Sequence, residues 1–316
     1  MDQPMLVGRD DTLATLRREI AKGRNVLLTG PAGIGKSALL QASYAAEAEA
    51  GHRRAIYVAQ ASPTKALLIE LAKQLHERFG ALPYDQLGLS KQAPDTDGSD
   101  AASLPWQALK KPLSRQTIPE LSDLCITALR GGELPYVLYL DHMDRITPSQ
   151  RAVLEALFEC VTVVGATVSK QQSGHLAKLW WSFKVLEVEP LSKRAAEALM
   201  DDYLEHHTVL IQNRAMFRRQ ALQAAAGNPQ ALLDILENAD KERVVDRQYI
   251  REEVKHDAGE RYISLAPLLL VALACLAAYR FIARGAGHQE LMILSSVVYV
   301  FFMVFRPFIF RGMLSR

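Results

Sequence analysis

The chain has 316 residues, 49% of them hydrophobic and 23% charged, and a formal net charge of +2. That length suits one large α/β domain with an attached helical subdomain, or two small domains, and either arrangement buries a substantial core. A charge this close to zero, with no basic cluster along the sequence, gives no reason to expect nucleic acid as a partner.

Residues 9–22 predict a first helix, with Asp10 and Asp11 near its start and Leu13, Leu16 and Ile20 on one face. Asn25-Val-Leu-Leu-Thr-Gly30 then reads as a short apolar strand closed by a glycine-rich turn, and an alanine- and leucine-rich helix follows from Lys36 to about Ala50. A strand at Arg54–Ala59, helices at Pro63–Phe79 and Ile118–Arg130, and a strand at Tyr136–Leu140 continue the alternation, which predicts a parallel sheet. Between Leu82 and Ile118 the pattern lapses into small, polar and acidic residues. A mobile surface insertion is therefore expected at about 83–117, with Trp106 docking its end onto the body. A helix at Pro148–Cys160 and strands at Val161–Thr167 and Val185–Val188 complete a core over residues 1–190, a five-stranded parallel sheet with helices on both faces. From Ser192 the pattern is helical throughout, at Ala195–His206, Ala215–Ala226, Pro229–Ala239 and about Asp246–Arg261, which predicts a helical subdomain over 191–261.

The stretch 262–316 is far more apolar than the rest. Ile263–Tyr279 is uncharged and the apolar run continues past Arg280 to Ala283, while Leu291–Phe305 extends past Arg306 to Phe310. Two transmembrane helices, about 263–283 and 290–310, are expected, with the terminal arginines snorkelling to the headgroups. The alternative is a buried helical hairpin in a soluble protein. The connection Arg284–Glu290 is short enough to force an antiparallel hairpin. Arg247, Arg251, Lys255 and Arg261 precede the first run and Arg311 and Arg316 follow the second, against Arg284 alone between them. That asymmetry places both ends of the chain in the cytoplasm, with membrane lipid as a partner. No cleavable signal peptide is visible at the N-terminus. Cys125, Cys160 and Cys275 fit no metal-ligand spacing and read as ordinary buried or lipid-facing thiols.

Gly30-Pro-Ala-Gly-Ile-Gly-Lys-Ser37 satisfies G-x-x-x-x-G-K-[ST], and it stands between a predicted strand and a predicted helix, the context that the motif requires. Such a loop lets successive backbone N–H groups curl around a phosphate while the following helix points its positive end at the same charge. Gly30, Pro31, Ala32, Gly33, Ile34, Gly35, Lys36, Ser37 and Ala38 are accordingly the candidate ATP-binding residues. Lys36 is expected to neutralise the β/γ oxygens and Ser37 to hold Mg²⁺. Tyr136-Val-Leu-Tyr-Leu-Asp141 is the matching Walker B candidate, an apolar strand ending in a carboxylate for the same Mg²⁺. Asp144 is a second carboxylate nearby, with a solvated position at a helix start as its alternative reading.

Val7-Gly-Arg-Asp10 ahead of the loop, the Walker pair, Val163-Val-Gly-Ala-Thr167 and Gly227-Asn-Pro-Gln-Ala-Leu232 together resemble the AAA+/STAND ATPases, in particular their origin-recognition-like and NB-ARC-like branches. The resemblance covers about 1–240. It implies that Val7 and Gly8 help form the adenine pocket, that Thr167 is the first sensor of the γ-phosphate, and that Pro229 packs near the nucleotide in a helical lid whose angle reports ATP or ADP. It also implies homo-oligomers, since such sites use an arginine from a neighbour, for which Arg145 and Arg151 are the candidates. One departure concerns His142, which stands where hydrolytic relatives often carry Glu or Asp. Lys255-His-Asp257 is similar to the NB-ARC His-Asp signature but follows the lid too closely to match it.

Three functions stay open at this point. One is a membrane-anchored ATPase switch acting with an unidentified protein partner, and another is a non-hydrolysing ATP-bound scaffold or membrane-acting immune-type effector. The last is a membrane-tethered DNA-associated loader, which the absence of a basic stripe disfavours.

Overall fold

The computed structural model describes residues 6–83, 104–168, 177–242 and 244–254, all within a compact unit of residues 1–260. A second unit, 261–316, lies outside the described residues, and so do both expected membrane spans, at 263–283 and 290–310. Among the described residues no helix is long and apolar enough to cross a membrane.

The chain opens with α1 (Asp10–Ala21), β1 (Asn25–Thr29), α2 (Lys36–Ala50) and β2 (Arg54–Val58). It continues with α3 (Thr64–Phe79), α4 (Trp106–Arg115), α5 (Ile118–Arg130) and β3 (Tyr136–Leu140). After α6 (Arg151–Phe158) come β4 (Thr162–Thr167), α7 (Ala177–Trp181) and β5 (Phe183–Glu187). All strands are parallel, in the order β2-β3-β4-β1-β5. The strand leading into the glycine-rich loop is therefore flanked by β4 and β5, and β4 separates it from β3.

Alternation at period two divides each strand between two cores. Leu27, Ile56, Leu138, Leu140 and Val163 face one side, where they pack with Leu68, Leu71, Leu109, Leu113, Leu121 and Leu157 of α3 to α6. Val26, Leu28, Ala55, Val137, Tyr139 and Val164 face the other, against Leu16 and Ile20 of α1 and Leu39 and Leu40 of α2. Both faces are covered, which is why the strands are nearly continuous in apolar residues. The outer edge of β2 is occupied by a side chain: Gln74 of α3 donates to the Tyr57 carbonyl at 2.6 Å and accepts from the Tyr57 N–H at 3.2 Å. That amide takes up backbone groups which an exposed edge leaves open to another strand.

The C-terminal helices α8 (Lys193–His206), α9 (Arg214–Ala225), α10 (Pro229–Lys241) and α11 (Arg247–Glu252) bury a core of their own, including Met200, Phe217, Leu232, Leu236 and Ile250. Each begins on a side-chain cap, from Ser192, Asn213, Asn228 and Asp246 respectively, which satisfies N–H groups that the first turn leaves open.

The structure departs from the sequence expectations in four places. The stretch 83–117 contains α4, with Leu109 and Leu113 fully buried, and Trp106 packs against His76 with ring centroids 6.2 Å apart. Residues 84–103 lie outside the described residues. The short helix α7 precedes β5, which begins at Phe183 rather than Val185 because Phe183 pairs with Asn25 and is buried. The helix expected at Pro148–Cys160 starts with a 3-10 turn at Pro148–Gln150 and becomes α-helical at Arg151. The helix expected to run from 246 to 261 closes at Glu252, where the Glu253 N–H bonds back to the Tyr249 carbonyl.

Candidate nucleotide site

Strand β1 ends at Thr29, and the loop Gly30–Gly35 carries the chain over the carboxyl edge of the sheet into α2. Gly35, with φ +97°, is the residue from which α2 starts, and Gly33 has φ +75°. These are left-handed conformations that favour glycine. Gly33 is constrained a second time, because a Cβ there would stand 2.7 Å from Cβ of Gln230 and 2.8 Å from Oδ1 of Asn228. The loop is thus pressed between the N-terminus of α2 and the start of α10. Lys36 arches back over it, donating to the carbonyls of Gly30 at 2.8 Å and Pro31 at 2.7 Å.

Asp141 follows β3 and is buried. One carboxylate oxygen accepts the His142 N–H at 2.8 Å and the other accepts the Tyr57 hydroxyl at 3.4 Å, so the group is held at both ends. Burial lowers the Lys36 ammonium from the ordinary lysine value, and the charges of Asp141 and then Asp144 pull it back up. The electrostatics therefore join both carboxylates to the lysine of the loop. Burial, with the Asp141 charge next, raises the Tyr57 hydroxyl, which keeps it a donor at neutral pH.

His142 adopts φ 52° and ψ 44° and is exposed. That left-handed residue turns the chain into a 3-10 turn at Met143–Arg145, which buries Met143 and leaves Asp144 half-buried. Thr167 closes β4, fully buried and in register with Thr29, the residue before the loop. It therefore lies on the sheet edge between β3, which delivers Asp141, and β1. Val168 beside it is 45% exposed.

Three further contacts escape sequence reasoning. Arg9, buried, donates to the carbonyls of Ile34 at 2.8 Å and of Glu189. It ties the N-terminal segment to the loop and to the chain leaving β5. Asn228 caps α10 with its Oδ1 while its Nδ2 donates to the Ala32 carbonyl at 2.9 Å. The Gln230 N–H donates to the Gly33 carbonyl at 3.2 Å. Local pattern hides all three, because each partner is a backbone carbonyl far away in the chain.

Beside the loop lies a cavity of about 390 Å³, lined by Val7, Gly33, Gly35, Ala38, Leu199 and Pro229 among others. Gly8, next to Val7, is held so close to α8 that a Cβ would stand 2.5 Å from that of Ala195. The structure thus brings Val7, Ala38 and Pro229 to one cavity beside the loop, and places Asp141 and Thr167 at the ends of β3 and β4, the strands next to β1 on that side. No group of three or more His, Cys, Asp or Glu side chains gathers among the described residues in a way that holds a metal ion unaided. Ser37 and Asp141 suit Mg²⁺ in its other habit, with one or two protein oxygens and the rest from phosphates. Of the two thiols among the described residues, Cys125 is buried, which pushes it up to about 12, and Cys160 is half-buried and in no disulfide.

A glycine loop between a parallel strand and a helix, with its lysine arched over the loop and a buried carboxylate at the end of the strand next but one, defines a P-loop nucleotide-binding protein. Residues 5–169, just over half the chain, match the family described as AAA ATPase domain, and the chain belongs to that family. No curated protein matches it. Among solved structures, the ORC2 protein of Aeropyrum pernix in its ADPNP–ADP complexes is similar at 13% identity and a TM-score of 0.48, over 94% of this chain and 81% of that one. AMPPCP-bound DnaA of Aquifex aeolicus is similar at 14% and 0.46, over 79% and 67%, and Cdc6p of Pyrobaculum aerophilum at 15% and 0.49, over 75% and 62%.

Proposed function

We propose that this chain is an ATP-driven switch anchored at the cytoplasmic face of a membrane, in which bound ATP or ADP sets the angle of α8–α11 as a lid and thereby the association of copies. The observation that carries this reading is that two elements meet at one loop. Lys36 arches over it within the field of the Asp141 and Asp144 charges, and α10 bonds it from the other side through Asn228 and Gln230. A change at the phosphates is therefore one backbone away from the lid. Lys36 and the loop amides bind the phosphates, Ser37 and Asp141 hold Mg²⁺, Asp144 orients water, and Thr167 senses the terminal phosphate. Arg145, exposed on the turn that carries Asp144, is the side chain offered to a neighbouring copy. Support for the membrane comes from the sequence, in the two apolar runs and the flanking arginines of 262–316.

Lys36→Ala is expected to abolish ATP binding and any ATP-dependent assembly of the full chain in nanodiscs. Unchanged binding and assembly would sink the proposal. Anchoring is tested separately by alkaline extraction of membranes, which should leave the chain in the pellet, whereas recovery in the supernatant argues against the spans.

A second reading, a bound nucleotide that is never hydrolysed, is favoured by one observation, the exposed, left-handed His142 directly after Asp141. Sustained phosphate release that Asp141→Asn abolishes would dispose of it.

A further inference from the structure

The cavity beside the loop has one wall made by α8. Ala195, Leu199, Asp202 and His206 recur along that helix at spacings of four, three and four, so they form a single stripe. Its first member touches the N-terminal segment at Gly8, and its next two, Leu199 and Asp202, line the cavity. Most of the lining is apolar, with Val7, Leu199, Pro229 and Leu233 among it. Among the described residues, three lining side chains are polar, and two of them are engaged: Arg9 donates to the Ile34 and Glu189 carbonyls, and the Gln230 amide donates to Asp234 at 2.8 Å. The third is Asp202. Its backbone carbonyl accepts from His206 Nδ1 at 2.8 Å, and its carboxylate stands 3.6 Å from the same nitrogen and is about one-third exposed. An apolar slot with one carboxylate in its wall suits a flat heteroaromatic ring that presents an N–H donor at its edge.

We propose that Asp202 selects the base, accepting a hydrogen bond from the exocyclic amino group of adenine. The proposal rests on the reading of Gly30–Ser37 as the phosphate cradle. Placing the acceptor on the lid also means that the lid itself reads the base, so that only a 6-aminopurine draws α8 onto the cavity.

The test is the affinity of the full chain for ATP and for purine riboside triphosphate, which lacks the 6-amino group and is otherwise the same ligand. GTP serves as a third probe. Wild type is expected to prefer ATP over the 6-unsubstituted nucleotide by about tenfold, the scale of one hydrogen bond to a charged acceptor. Asp202→Ala is expected to bring that ratio to near one, chiefly by weakening ATP. Asp202→Asn, which keeps a carbonyl oxygen in place, is expected to retain part of the preference and serves if the alanine variant fails to fold. An unchanged ratio in either folded variant overturns the proposal. So does tighter binding of GTP than of ATP that disappears in Asp202→Ala, because the carboxylate would then be reading the N1 and N2 donors of guanine. Lys36→Ala separates this from the underlying reading: equal loss of all three nucleotides leaves the cradle in place, whereas no loss removes the cradle and the base site with it.

Discussion

Asn228 Nδ2 donates to the carbonyl of Ala32 at 2.9 Å while the Oδ1 of the same amide accepts from the N–H groups of Gln230 and Ala231. One side chain thus starts α10 and fastens it to the phosphate loop. The two roles can be separated. Asn228→Ala removes both and is expected to cost about 1 kcal/mol, the usual worth of an N-cap, as well as weakening ATP. Asn228→Asp keeps the cap but sets a carboxylate against the Ala32 carbonyl, so the melting temperature should hold better than in Asn228→Ala while ATP affinity still falls. Thermal melts and nucleotide titrations of both variants check this.

The turn after Asp141 leads to a second prediction. Asp144, not His142, shares the electrostatic neighbourhood of Lys36. If the chain hydrolyses ATP, Asp144→Asn should lower turnover about 100-fold, in the range of a lost general-base or water-orienting group, with ATP affinity largely kept. His142→Ala should leave turnover little changed. A steady-state phosphate-release assay of the two variants decides between them, and the reverse order would return the role to position 142.

Tyr57 bears on the metal. Its hydroxyl donates to the carboxylate oxygen of Asp141 that the His142 N–H does not occupy. Removing it leaves that oxygen without its hydroxyl partner, so Tyr57→Phe should raise the Mg²⁺ concentration needed for half-maximal ATP binding by about fivefold, the scale of one long hydrogen bond. Binding without Mg²⁺ should be unaltered, and a titration at fixed ATP reads both.

Glu19 supplies a pH dependence. Its buried carboxylate lies within 4 Å of Lys22, Arg24, Lys184 and Arg18, joining α1, the turn into β1 and the start of β5. The hydrogen bond from Lys22 leads the causes that take it from the ordinary glutamate value of 4.5 to about 2. A carboxylate held low in the folded state stabilises fully above its unfolded value and loses that contribution as pH falls through the folded one. Between about pH 4.5 and 2 the melting temperature of wild type should therefore drop towards that of Glu19→Gln, with the gap widest near neutrality. A constant gap across that window would remove Glu19 from the account.

Much of the core was readable from sequence for a physical reason. Strands covered on both faces must be continuous apolar runs, and Val26-Leu-Leu28 and Tyr136–Leu140 are such runs, while Gly30–Ser37 announces itself because only backbone and glycine can wrap a phosphate. Helix α4 was hidden by Pro112 and by the polar stretch ahead of it. Its apolar face, Trp106, Leu109 and Leu113, has helical spacing, and the proline that reads as a breaker sits inside the helix. Helix α7 is five residues long, too short to show a period. Asp141 could be named from its strand, but the nearness of Asp144 depends on the left-handed φ of His142, an unusual state for a side chain with a Cβ. Arg9 and Asn228 were quoted within their motifs, yet what they hold is set by contacts 25, 180 and 196 residues away, which no local pattern encodes.

The lid has its entrance and its return at the same spot. The Leu191 N–H, just ahead of α8, donates to the Gly227 carbonyl at 2.7 Å, and Gly227, just ahead of α10, is packed so closely on Leu191 that a Cβ would stand 2.7 Å from its carbonyl oxygen. With Arg9 gripping Glu189 a step upstream, this junction joins the ties from Asn228 and Gln230 to the loop in holding the four helices on the sheet. In the proposed switch, a small rotation at this junction becomes a longer sweep at the far end of the helices, where Ile250 and Val254 close their core.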